Sequence, residues 1–146
     1  PMWLFNASTV LPVTAFIGVW QSLALVVIVY LAALQGVPTD LYEACSLDGA
    51  NSVQKFFHVT LPLISPTTFF LIINNVILAF SNFALIKNLT GGGPGTASRV
   101  AVINIYEEAF TFNHYSYAAA QSIVMFIIIL IFSAIQWKGQ KKWVHY

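Results

Sequence analysis

Few residues in this 146-residue sequence could do covalent chemistry. They are Cys45, the histidines His58 and His114, the adjacent Glu107 and Glu108, and the run Gly91-Gly92-Gly93-Pro94-Gly95. A nucleophilic site needs a thiol or hydroxyl held against a base, and no serine, cysteine or histidine here sits in such a signature. One cysteine excludes an internal disulfide framework and a thiolate metal cluster, and the three histidines show no ligand spacing. Glu107 and Glu108 are sequence neighbours, so on a helix they point apart instead of forming an acid–base pair. The glycine run lacks the Gly-Lys-Ser/Thr ending that would cradle phosphates, so it reads as a turn. The expectation is no catalysis, no metal and no cofactor; any energy must come from a partner.

Recognition chemistry is better represented. Glu43 to Pro62, EACSLDGANSVQKFFHVTLP, is a polar segment between two hydrophobic runs. Val53, Phe56 and Phe57 fall on one side at helical spacing, the pattern with which a helix enters a groove on another protein. Gly49 lets two short helices meet at a sharp angle, and Glu43 offers a charge for a basic residue across an interface. The same side chains would also serve a connector that packs only on its own bundle, and the residues alone leave both readings open. A second polar set is Asn75 and Asn82, seven residues apart and so on one helix face, with Ala79 between them and Ser81 alongside. Amides in lipid are costly unless paired, so they face a cavity or a neighbouring helix. As glue between helices they would contribute about 1 kcal/mol each.

The elements that hold these residues follow from composition. The chain is 58% hydrophobic and only 8% charged, with a mean hydropathy of +0.78. An ordinary soluble domain is roughly a quarter charged. A small soluble fold could not hide that much apolar surface, so an integral membrane protein is expected. A net charge of +1 gives no electrostatic case for nucleic acid. Three apolar runs are about the 20 residues that a bilayer requires: 16–34, 63–85 and 118–137. Without water in the hydrocarbon core each must be a helix.

The 35–61 connection reads as two short helices. Asp40 and Glu43 have capping-box spacing for the first, and Asp48 is placed to cap the second. The 86–117 connection holds the glycine turn, then a surface helix over 98–110 with Val100, Ile103, Tyr106 and Phe110 on one stripe. Tyr106, Phe110, Phe112, Tyr115 and Tyr117 crowd as aromatics do at a membrane boundary. Lys55, Lys138, Lys141 and Lys142 share one side of this topology, against Lys87 and Arg99 on the other. The positive-inside rule then makes the 35–61 loop and the tail cytoplasmic and turns the glycine loop outward. His58 and His114 fall on opposite sides.

Glu43-Ala44, Gly49 with Asp48 and Ala50, Phe56-Phe57 and Leu61-Pro62-Leu63 together resemble the EAA motif of permease subunits in binding-protein-dependent ABC importers. Cys45 departs from the usual small Ala at its position but is itself small. LAALQGVPTDLYEAC before the motif, and NFALIKNLTGGGPGTAS, IYEEAF and YAAAQS after it, are similar to carbohydrate-type permeases over about residues 20–137.

The resemblance implies an all-α integral membrane helical bundle of the type I importer fold, in the inner (cytoplasmic) cell membrane. It implies partners: two cytoplasmic ATP-binding subunits, a second permease subunit and an extracytoplasmic solute-binding protein, around a sugar substrate. Glu43, Ala44, Asp48, Gly49, Ala50, Phe56 and Phe57 would form coupling helices seated on the ATPase. Asn75, Ala79 and Asn82 would line the sugar path, aided by hydroxyls and by the aromatic surfaces of Phe80 and Phe83. Thr90–Thr96 would lie where the solute-binding protein docks or an outer gate closes. Gln121 and Ser122 are expected to face the bundle. The opening PMWLFNAST has loop character, with no initiator Met and no signal-peptide pattern, so the chain is expected to be the C-terminal part of a longer permease. A reading from another class is a membrane scaffold that recruits a cytoplasmic partner without transport.

Overall fold

The computed structural model describes residues 2–143, with side chains through Gln140. All the regular elements among the described residues are helical. Helix α1 runs Val10–Gln35, starting earlier than the apolar run suggested. Pro12 lies in its first turn, where a missing N–H costs nothing. Helix α2 follows at Thr39–Leu47, and Ser52–Leu63 forms α3, whose middle is a wide π turn at Phe56–Thr60. Helix α4 is Ser65–Ser81, α5 is Phe83–Leu89, and α6 is Ala101–Tyr106 running into a second π turn at Glu107–Thr111. Helix α7, Tyr115–Trp143, is the longest.

Helix α1 and the Tyr115–Gln140 part of α7 are each long and apolar enough to cross a membrane. Helices α3 and α4 pass that test only together, as a pair bent by 62°. The second apolar run is therefore not one straight helix. Pro62 and Pro66 bracket Ile64 and supply no N–H to the ladder, so the helix breaks there. It breaks again at Asn82, whose backbone leaves the helical region (φ −77°, ψ 64°).

The chain divides into two compact units. One comprises residues 23–74 and the chain from 135 onward. Its core is Val37, Val59 and Ile64, flanked by Tyr30, Ala33, Tyr42 and Cys45. The turn between α2 and α3 departs from the sequence expectation in its capping. Helix α2 begins at Thr39 after an extended Pro38, with no side-chain cap, so Asp40 sits inside the first turn. There its carboxylate faces the positive end of the helix dipole and is not a cap. Asp48 ends α2 and does not cap α3. The Gly49 N–H reaches Ser46 O and the Ala50 N–H reaches Cys45 O, with Gly49 at φ +80°, which is a Schellman ending. Asn51 starts α3 instead. Its side chain accepts from the Gln54 N–H at 2.9 Å, and the Gln54 side chain accepts from the Asn51 N–H at 2.8 Å.

The other unit comprises residues 1–22 and 75–134. Val10 and Ile103 are fully buried in it. Helix α6 starts at Ala101, later than expected, because Ser98 is committed to the glycine turn. Its hydroxyl donates to Gly93 O at 2.6 Å and meets Thr90 Oγ1 at 2.7 Å. Of the expected stripe, Ile103 is fully buried while Phe110 is 68% exposed, its ring 5.2 Å from that of Tyr106.

Candidate solute cavity and helix-pair loop

A cavity of about 370 Å³ lies within the second unit, walled by α1, α4, α5 and Val100. Asn75, Ala79 and Asn82 all line it, so the seven-residue spacing does bring the two amides to one space. Asn74 does not line it. The opposite wall is a stripe of α1 that includes Thr14, Gly18 and Ser22, four residues apart. A Cβ at Gly18 would stand in ordinary contact, 3.4 Å from Leu85 Cδ2 and 3.6 Å from Asn82 Nδ2, so this wall would admit one methyl and little more. The two hydroxyls on that wall donate within their own helix, which leaves their oxygens as acceptors. Thr14 donates to Val10 O and Leu11 O, each at 2.9 Å, and Ser22 to Val19 O at 2.9 Å. Asn75 and Asn82 add two amides to this lining, and no charged side chain lines the space.

The aromatic part of the expectation is not met. Phe80 packs on Phe132, with ring centres 5.8 Å apart, and Phe83 on Tyr106 at 4.7 Å, and neither lines this cavity. Sequence reasoning did not place Thr14, Gly18 or Ser22 in this site; they lie in or just before the first apolar run. The available signal was their small size at helical spacing. Gln121 is paired, accepting from Asn104 Nδ2 at 3.1 Å, whereas the Ser122 hydroxyl returns to Ala118 O.

The helix-pair loop lies in the first unit. Leu47 is 90% exposed, and Val53, Phe56 and Phe57 are exposed as well. The Phe56 and Phe57 rings meet edge to face at 5.2 Å. Glu43, Ala44, Asp48 and Gly49 are exposed and Ala50 is partly buried. Lys55 Nζ donates to Ser46 Oγ at 2.6 Å, closing the two helices on each other. The acidic and histidine residues of the other connection pair off separately. Arg99 meets Glu107 at 2.7 Å and His114 meets Glu108 at 2.9 Å, so the two glutamates do point apart. Among the described residues no cluster of His, Cys, Asp and Glu is placed to hold a metal ion. The cations Lys141 and Lys142 lie outside the side chains described.

Two helices long and apolar enough to span, and a bent pair that together could make a third span, are the framework of a multi-pass membrane protein. The family model for the binding-protein-dependent transport system inner membrane component matches residues 2–141, and the chain belongs to that family. It is 39% identical over 136 residues to the probable ABC transporter permease protein YurN of Bacillus subtilis (strain 168), covering 93% of this chain and 47% of that protein. It is 37% identical over 142 residues to the sn-glycerol-3-phosphate transport system permease protein UgpA of Yersinia enterocolitica, covering 97% of this chain and 48% of that one. The protein of the same name from Agrobacterium fabrum is 35% identical over 142 residues, with the same coverage. The chain thus spans about half the length of the curated relatives it matches.

Proposed function

We propose that this chain is the C-terminal half of a permease subunit in an ATP-driven importer of a neutral sugar or polyol, and that residues 39–63 seat on the ATPase. The observation that carries the reading is the helix pair. It is fixed internally by the Schellman ending, the Asn51–Gln54 capping box and the Lys55–Ser46 contact, yet it leaves Leu47, Val53, Phe56 and Phe57 unburied. A compact knob with apolar anchors held outside the bundle suits a groove on a cytoplasmic partner. The partner hydrolyses ATP, and its nucleotide-bound form selects one conformation of the permease. A second permease subunit completes the pathway. A solute-binding protein delivers substrate on the face of the glycine loop, and the knob and tail lie in the cytoplasm.

The cavity supports the solute class. Amides without charge suit hydroxyls, whereas a phosphate would want Arg or Lys, and neither lines the space. The phosphate-bearing solute in two relatives' names is therefore not carried over to this chain.

The test is co-purification of the full-length permease with its ATPase subunit, comparing wild type with Glu43→Ala and Gly49→Pro. Wild type should retain the ATPase and Gly49→Pro should lose it, because Pro cannot adopt φ +80°. Equal retention by all three would remove the knob as the contact.

A further inference from the structure

The knob is joined to its span through a joint at which two prolines interrupt the helical ladder. Between Phe56 and Pro66 the chain passes a π turn, two prolines and a break at Ile64, and emerges bent by 62°. The Ile64 N–H reaches Thr60 O and the Thr68 N–H reaches Ile64 O across the bend, while Pro62 and Pro66 leave gaps in the ladder beside them. Two tyrosine–threonine hydroxyl contacts bracket it. On the knob side, Tyr42 Oη of α2 lies 2.7 Å from Thr60 Oγ1 at the end of the π turn. On the span side, Tyr30 Oη of α1 donates to Thr68 Oγ1 of α4 at 3.1 Å. Thr60 is only 7% exposed, and Val37, Val59 and Ile64 fill the space around the joint.

We propose that the Tyr42–Thr60 contact locks the knob to its span, making Tyr42 and Thr60 positioning residues that pass a displacement of α2 into the bundle. The proposal rests on the ATPase-coupling reading above. The Lys55–Ser46 contact cannot do this work. It ties the knob's two helices to each other and is exposed, so water replaces it at little cost. Thr60 is buried, so breaking its contact leaves a hydroxyl without water to compensate, and the knob and span then move as one body. The first contact couples α2 to the joint, and the second ties the far side of the joint to α1.

The experiment uses the full-length permease assembled with its partner permease, ATPase subunits and binding protein in proteoliposomes. It measures ATPase retention and solute moved per ATP hydrolysed. Tyr42→Phe and Thr60→Val should each retain the ATPase but lower the transport-to-hydrolysis ratio between about twofold and tenfold, the range expected for one hydrogen bond. The double variant should be no worse than either single one, since the two residues act as one contact. Thr60→Ser restores the hydroxyl and should restore the ratio. An unaltered ratio in Tyr42→Phe and Thr60→Val, with only a lower Tm, would make the contact purely structural and overturn the proposal. Additive losses in the double variant, or loss of the ATPase from Tyr42→Phe, would overturn it too. Failure of the wild type itself to hold the ATPase would instead sink the coupling reading.

Discussion

At the scale of single residues, Asn82 carries two roles that are usually separate. Its backbone ends α4, and its side chain faces the cavity without capping α5. On the proposed reading, Asn82→Ala should raise the KM for solute about fivefold, the worth of roughly one hydrogen bond, with the assembled complex intact. Unchanged KM and unchanged solute-stimulated ATPase would remove Asn82 from the path. Gly18→Leu tests the same space from the other wall. A leucine there meets Leu85 and Asn82 at the distances where even a Cβ is already in contact, so uptake should fall with little loss of protein. Uptake equal to wild type would show that the cavity is not on the route. The amides were legible from their spacing, because a polar side chain in an apolar helix must be accounted for. Gly18 was not, because a glycine within an apolar run looks the same whether it faces lipid or a neighbouring helix.

At the scale of elements, what the sequence could show was decided by whether structure is local. The helix pair was legible because short helices with polar ends announce themselves, yet the capping residues were displaced. Asp48 and Asp40 carry cap chemistry by type, but each falls within or at the end of α2 once the Schellman turn sets the boundary. Asn51 and Gln54 have the reciprocal spacing, and in the fold they make both bonds. Asn51→Ala should therefore destabilise the start of α3 by about 1 kcal/mol. Hydrogen exchange should report faster exchange at the Gln54 amide and no change at α7. Unaltered exchange at Gln54 would mean that the cap contributes nothing. The π turns and the two breaks in the second apolar run were beyond reach, since hydropathy records length and not whether the ladder is continuous. Tyr30, Tyr42, Thr60 and Thr68 were missed for a related reason: their partners lie 18 and 38 residues away.

At the scale of the whole molecule, the apolar surface is itself informative. Large hydrophobic side chains are exposed along α1 and α7, among them Phe16, Trp20, Ile28, Phe126 and Ile135, which a water-facing surface would not tolerate. Lipid and neighbouring helices are the solvent for which this surface is built. The proposed orientation can be checked at Leu47, the most exposed large residue of the knob. In a permease carrying Leu47→Cys as its sole cysteine, a membrane-impermeant maleimide should label inverted vesicles and spare spheroplasts. Labelling of spheroplasts alone would reverse the topology and with it the assignment of the glycine loop to the outer face.

Gly49 has one further consequence. Its φ is +80°, yet a Cβ built there meets nothing within 4 Å. What the position selects is therefore handedness and not size. A D-alanine introduced by semisynthesis should leave the knob unchanged, whereas its mirror image, adding the same single methyl group, would strain the turn.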